Sequence, residues 1–228
     1  MNVTVIGTGR MGSVIAKRLP LEHNRLLINN GKSEGKELAE RIGAAYTTDL
    51  GKLEESDVII LCVPAATTSI IAKQAASFAK DGAILINCST KAFFEEQLKQ
   101  NYLNLYFVEA KIIGHAGSLE QGKSAIVVVD TDKREVFHMI ADLFYGMGSV
   151  RMGDAKSVPV LSTMAAEAGL RTAVALRKQL TMYGLPEEME NILIESVCAG
   201  TMSAYVRNDL GHFGQELAEK LESETGGN

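Results

Sequence analysis

The chain begins with a strand-like run, Val3-Thr4-Val5-Ile6, and passes at once into Gly7-Thr8-Gly9-Arg10-Met11-Gly12. Three glycines at the G-x-G-x-x-G spacing, after a buried strand and before a helical pattern, make the turn a dinucleotide pyrophosphate needs. Gly7 permits the tight turn, Gly9 lets the backbone approach the phosphates, and Gly12 lets the helix pack close to the strand. Thr8, Arg10 and Met11 complete the candidate cofactor-binding segment. The helix start adds free N–H groups and a partial positive charge. The competing reading is a glycine turn in an α/β protein that binds nothing.

Composition narrows the function classes. The chain has 228 residues, a net charge of −5, and 46% hydrophobic and 22% charged residues, the profile of an ordinary globular protein. An acidic balance argues against nucleic acid as a partner, because phosphates need a basic face. Apolar runs are too short to span a bilayer, which takes about 20 residues, and the N-terminus carries no basic leader. Cys62, Cys88 and Cys198 are far apart and read as reduced residues of a cytoplasmic protein. No Cys/His cluster has metal-ligand spacing, so no metal is expected.

The hydrophobic pattern predicts strands at 2–6, 25–29, 57–63 and 83–87, alternating with helices at 10–19, 33–42 and 67–80. Ser33 is the expected N-cap of the second helix and Gly43 its end. Further strands are expected at 105–108 and 125–129, with a glycine-bearing loop around Gly114 and Gly117 between them. Asp132 and Glu135 resemble a capping box for a helix whose buried face holds Val136, Met139, Ile140, Leu143 and Phe144. A short last strand is expected at 149–151. Beyond Lys156 only helices are predicted, at 158–183 and 187–207, with Pro186 in the first turn of the second and residues 221–228 frayed. The fold class is therefore α/β: a Rossmann-type, doubly wound, mostly parallel sheet over 1–152, then a small all-α domain over 153–228.

The end of the second strand bears on the cofactor. NAD-binding folds put a carboxylate there, on the ribose 2′-hydroxyl. This chain has Asn29-Asn30-Gly31-Lys32-Ser33. Asn29, Asn30, Lys32 and Ser33 supply donors and a positive charge, which suits a 2′-phosphate. NADP(H) is expected in preference to NAD(H). The alternative is that Lys32 and Ser33 are only a solvated turn. Ligands of such sheets lie outside the carboxyl ends of the strands, so Val63 and Pro64, and Asn87 and Ser89, are the expected contacts of the nicotinamide half. Their alternative roles are a strand stop and turn residues.

Val5-Ile6-Gly7-Thr8-Gly9-Arg10-Met11-Gly12, the Asn-rich end of the second strand and Ile60-Leu61-Cys62-Val63-Pro64 resemble the NADP-binding domain of the 6-phosphogluconate dehydrogenase-like superfamily. Its members include pyrroline-5-carboxylate reductases, β-hydroxyacid dehydrogenases, imine reductases and deazaflavin-dependent NADP reductases. Two further segments resemble single families. The stretch from Val108 to Gly122 is similar to the substrate loop of β-hydroxyacid dehydrogenases, with Glu109 for its Asp, Lys111 for its Pro, Ile113 for its Ser and His115 for its second Gly. The stretch from Leu161 to Ala204 is similar in spacing to the dimer-forming helices of pyrroline-5-carboxylate reductases, without that family's Ser-Gly-Pro-Ala-Tyr run. The resemblance implies a helical domain that closes over the nicotinamide and a homodimer formed through the C-terminal helices.

Hydride transfer needs a proton donor or polarising group beside the nicotinamide. The candidates are Ser89, Thr90, Glu109, Lys111, His115, Lys156, Ser162 and Glu167, with His115, Lys111 and Lys156 foremost as catalytic residues. His115 offers an imidazole, the side chain suited to proton transfer near neutral pH. Lys111 suits a substrate carboxylate or carbonyl. Lys156 opens the helical domain. Their plain alternatives are a surface histidine, an exposed lysine and a linker lysine, and Glu167 is expected to pair with Arg171. The sequence thus points to an NADP(H)-dependent oxidoreductase acting on a small carbonyl or imine substrate. Its rivals are a deazaflavin-dependent NADP reductase and a non-catalytic NADP(H)-binding or sensing protein.

Overall fold

The computed structural model describes residues 1–225. The chain forms two compact units, Met1–Thr163 and a second from Met164 onward. The first contains an eight-stranded sheet in the order β3-β2-β1-β4-β5-β6-β7-β8. Its elements are β1 (Asn2–Ile6), α1 (Arg10–Arg18), β2 (Asn24–Ile28), α2 (Ser33–Ile42), β3 (Ala45–Thr47), β4 (Val58–Leu61), α3 (Ala65–Phe78) and β5 (Ile84–Asn87). Then come α4 (Glu96–Asn101), β6 (Tyr106–Ile113), α5 (Ala116–Glu120), β7 (Ala125–Asp130), α6 (Arg134–Phe144) and β8 (Gly148–Met152).

β1 to β6 run parallel, as continuous apolar strands covered on both faces do. Burial on both faces is direct. Val3, Val5, Val58 and Ile60 join one core cluster with Val14 and Ile15 of α1 and Ile140 and Phe144 of α6. Ile6, Ile59, Leu61 and Leu85 join another with Ala72 and Ala75 of α3 and Leu98 of α4. The chain reverses at β7, which is antiparallel to β6 and parallel to β8.

Register fixes which residues share a level. Ile28, Ile6, Leu61, Asn87, Glu109 and Asp130 stand side by side across six strands. β6 does not stop there. It runs on through residues 110–113, paired with 126–129 of β7, so a two-stranded wall rises past the carboxyl ends of β1, β4 and β5.

Several sequence expectations change. The strand expected at 105–108 continues to Ile113, and only Gly114 and His115 separate it from α5. β3, α4 and a 3-10 turn over Leu50–Glu55 are additional elements. Ser33 is the first helical residue of α2, not its cap; Lys32 holds the cap position, with no side-chain cap bond. The Asp132–Glu135 capping box does not form. Lys133 precedes α6, and its N–H reaches Thr131 Oγ1 at 3.3 Å. Met139 turns outward, at 36% exposure.

The second unit is helical. α7 (Ser157–Thr181) leads into it from the first. The helix expected over 187–207 is α8 (Glu187–Ile192), a π-helical stretch (Leu193–Cys198) and α9 (Ala199–Val206) in succession. Pro186 caps α8 instead of sitting in its first turn. The fraying expected from 221 is not seen through Thr225, where α10 (His212–Thr225) ends; residues 226–228 lie outside the described part. Glu167 pairs with Arg171 at 2.5 Å, as its i,i+4 spacing predicts.

Candidate cofactor site

The site is built where β1, β2, β4 and β5 end. Gly7 closes the turn after β1, its N–H donating to the Ile28 carbonyl at 2.8 Å. Its φ of +96° lies in the left-handed region, and a Cβ would sit 2.4 Å from the Cys62 carbonyl oxygen, so only glycine fits. At Gly12 a Cβ would fall 1.9 Å from the Gly7 carbonyl oxygen. The start of α1 therefore lies directly on the turn. Gly9 is different: no protein atom lies within 4 Å of where its Cβ would be. Above it α1 begins with no side-chain cap and no acidic residue in its first turn. Free N–H groups and the positive end of the helix dipole thus face open space.

Arg10, the first residue of α1, is exposed, and its Nη2 lies 3.1 Å from His115 Nε2. A guanidinium only donates, so the imidazole accepts at Nε2. His115 immediately precedes α5, and the pair stands beside the uncapped helix start. Met11 packs against the core and Ser13 Oγ donates to the Thr8 carbonyl at 2.9 Å.

At the end of β2, Asn29 is a structural hub. Its Nδ2 donates to Thr8 Oγ1 at 2.9 Å and to the Lys32 carbonyl at 3.2 Å. Its Oδ1 accepts from the Gly31 N–H at 2.9 Å and from the Tyr46 hydroxyl at 2.7 Å. Both donor hydrogens and both lone pairs are engaged. Gly35 allows this: a Cβ there would lie 1.9 Å from Asn29 Nδ2. Asn29 therefore ties the loop to the glycine turn, while Asn30, Lys32 and Ser33 are exposed at the same edge. Neither Tyr46 nor Gly35 carries a motif signal in the sequence.

After β4, Pro64 caps α3. Its carbonyl accepts from the Thr67 N–H and hydroxyl, each at 2.9 Å, and from the Thr68 hydroxyl at 3.2 Å. That carbonyl is committed to its own helix, and Val63 beside it is half-buried. Cys62 and Cys88 follow β4 and β5 and are both free thiols. A hydrogen bond with Cys88, then burial, pushes the Cys62 thiol well above its usual value. At neutral pH it stays protonated and unreactive.

The end of β5 corrects the roles expected for Asn87 and Lys111. Lys111 is fully buried, not exposed. Its Nζ donates to the carbonyls of Ser89 at 2.6 Å, Ala92 at 2.8 Å and Asn87 at 3.3 Å. It pairs with Glu109 Oε2 at 2.7 Å and lies 4.7 Å from the Phe93 ring centre. An ammonium with three N–H groups so engaged has none left for a substrate carboxylate or a proton transfer. Glu109 Oε1 accepts from the Phe94 N–H at 2.6 Å. Asn87 is likewise turned inward: its Nδ2 donates to the Ala92 carbonyl at 2.8 Å and Glu109 Oε2 at 2.9 Å, and its Oδ1 takes the Ser89 N–H at 2.9 Å. Asn87 shapes the loop instead of bonding a ribose.

Lys156 is exposed before α7. The Glu96 carboxyl is held below its ordinary value first by its hydrogen bond with Lys99 and also by the charge of Lys156. His115 stands on the α1 side.

Helices on both faces of the sheet and an open, uncapped helix start after β1 are the architecture of a Rossmann-type domain. Residues 1–102 match the family model described as D-isomer specific 2-hydroxyacid dehydrogenase, NAD binding domain. Pyrroline-5-carboxylate reductase from Coxiella burnetii superposes with a TM-score of 0.71 at 14% identity, covering 96% of this chain and 84% of its own. A reductive aminase from Aspergillus terreus, solved with NADPH and ethyl-5-oxohexanoate, gives 0.67 at 16% identity, covering 90% and 74%. The 3-hydroxyisobutyrate dehydrogenase of Mycobacterium tuberculosis, with L-serine, gives 0.63 at 14% identity, covering 86% and 70%. Among curated proteins none matches the sequence significantly. Among the described residues no helix is long and apolar enough to cross a membrane.

Proposed function

We propose that the protein is an NADP(H)-dependent oxidoreductase that moves a hydride between NADPH and a small carbonyl or imine compound. The observation that carries the reading is the start of α1: uncapped, free of acidic side chains and open above Gly9. A pyrophosphate fits there. Thr8, Gly9, Arg10 and Met11 would hold it, and Arg10 adds a cation. NADP(H) is favoured over NAD(H) because Asn29, not a carboxylate, directly follows β2, with exposed Lys32 and Ser33 available to a 2′-phosphate. The nicotinamide, when bound, supplies the hydride. His115 and Lys156 remain as the candidate groups to hold or deliver a proton.

The C-terminal helices expose Leu170, Val174, Met182, Tyr183, Val206 and Phe213. That much apolar surface suits a second copy of the chain, and a homodimer is part of the proposal. Free, adjacent thiols at Cys62 and Cys88 suit a reducing compartment such as the cytoplasm.

Titration with NADPH and NADH, followed by NADPH consumption against imino acids, small ketones and a deazaflavin, tests the reading. Preferential NADPH binding with turnover of a carbonyl or imine is expected. Turnover of the deazaflavin alone would reassign the acceptor, and binding without any turnover would make the protein a sensor. Sedimentation velocity tests the dimer.

A further inference from the structure

The buried ion pair of Lys111 and Glu109 has no part in the chemistry above, yet Lys111 is among the largest fully buried side chains of the described residues. Charges taken out of water are costly unless every donor and acceptor is met. Here nearly all the partners belong to one short loop. Lys111 gathers the carbonyls of Asn87, Ser89 and Ala92, and Glu109 takes the Phe94 N–H. Asn87 closes the ring from within the loop. A second clamp stands just beyond, where Glu95 accepts from Ser69 at 2.5 Å and pairs with Lys73 at 2.9 Å. Residues 88–95 are thereby held from the sheet and from α3 at once.

The direction of these carbonyls matters. In a trans peptide the C=O and N–H point opposite ways. The Ser89 carbonyl points at the buried ammonium, so the N–H of Thr90, in the same peptide, points away from it. Thr90 itself is exposed. The loop follows β5, on the side of β1 away from the β2 end that takes the adenosine half.

We propose that Lys111 and Glu109 are positioning residues for the nicotinamide half of the cofactor. They fix the β5–α4 loop so that the Thr90 N–H is presented as a donor to an oxygen of that half. This inference rests on the NADP(H) reading above. Neither residue touches the cofactor; both act through the loop.

Calorimetric titration of the whole protein with NADPH and with 2′,5′-ADP, which lacks the nicotinamide half, tests it. Two variants are compared with the wild type: Lys111→Met, and the double change Glu109→Gln with Lys111→Met, which leaves no unpaired buried charge. The NADPH dissociation constant is expected to rise about tenfold while that of 2′,5′-ADP stays within about twofold. Hydrogen exchange in the cofactor-free variants should speed up over residues 88–94 and stay unchanged in β1 and β4. Should Lys111→Met fail to fold, the double variant carries the same comparison. Equal weakening of both ligands, or of neither, or unchanged exchange in the loop, overturns the positioning role while the NADP(H) reading stands. A wild-type protein that binds neither ligand overturns that reading, and the inference with it.

Discussion

The β2–α2 loop and the start of α2 expose every residue from Asn30 to Glu34, whereas the β5–α4 loop is built over an ammonium, a carboxylate and an amide that are all buried. Both loops stand at the carboxyl edge of the same parallel strands. At the first, only the root is fixed, through Asn29; the charged groups beyond it are solvated. A phosphate is recognised well by such donors, because charge tolerates small displacements. At the second, backbone groups are locked by charge-assisted bonds. Hydride transfer requires reacting atoms within about 3–3.5 Å of each other, and a fixed loop suits that end. On the proposed reading, one edge divides into a part where charge decides and a part where position decides.

Substitutions can break or sharpen this contrast. The largest effect is expected from Lys111→Met alone, which strands the Glu109 carboxylate and should cost about 3–5 kcal/mol in urea unfolding. The double change with Glu109→Gln should recover much of it, and a purely additive result would refute the buried pair as a unit. Gly12→Ala comes next. Its methyl meets the Gly7 carbonyl that both halves of the edge share, and a loss of about 1–3 kcal/mol with weakened NADPH binding is expected in thermal melts and titrations. Asn29→Asp puts a carboxylate at the root of the exposed loop and gives up the amide's donations to Thr8 Oγ1 and the Lys32 carbonyl. NADPH should bind about tenfold more weakly, about 1.4 kcal/mol, and NADH no more weakly, as followed by nicotinamide fluorescence.

The smallest effect belongs to the opposite edge, as a control. A hydrogen bond from Lys80, then one from the Asn2 N–H, holds the Asp57 carboxyl below its ordinary 3.8. A depressed carboxyl contributes stability above its unfolded value, and this is lost as pH falls through the folded value. The Lys80–Asp57 side chains are 41% and 39% exposed, so Asp57→Asn should cost less than about 1 kcal/mol. Its acid sensitivity should change only below about pH 4, with cofactor affinity at neutral pH unchanged.

How legible these features were in the sequence follows from their range. Gly7 and Gly12 declare themselves because the turn, the strand before it and the helix after it are contiguous. The apolar runs at Val58 and Ile84 announce parallel strands for the same reason. Asn29 was visible as a missing carboxylate, but its partners Tyr46 and Gly35 were not, since neither belongs to a local pattern. Lys111 was the hardest case. On a strand, a lysine between Ala110 and Ile112 reads as an outward-facing charge. Its burial depends on Asn87, Ser89 and Ala92, which only the β5–β6 pairing brings near. β6 looks short in the sequence because Glu109 and Lys111 interrupt its apolar character.

The overshoot of β6 past its parallel neighbours settles where the chain leaves the sheet. β8 runs opposite to β1, and a strand so reversed would normally end at the far edge. Parallel strands correct such a mismatch with a crossover of about a dozen residues or more. Here the reversed strands begin high on the wall, so Met152 pairs with Val129 just one step above the level of Asn87 and Glu109. The Ala155 N–H then donates to Asp130 Oδ2 at 3.2 Å, pinning the exit. Lys156 is delivered to the height of the ends of β4 and β5 by a short hop, which makes the length of the wall, and not of a linker, the ruler for that lysine.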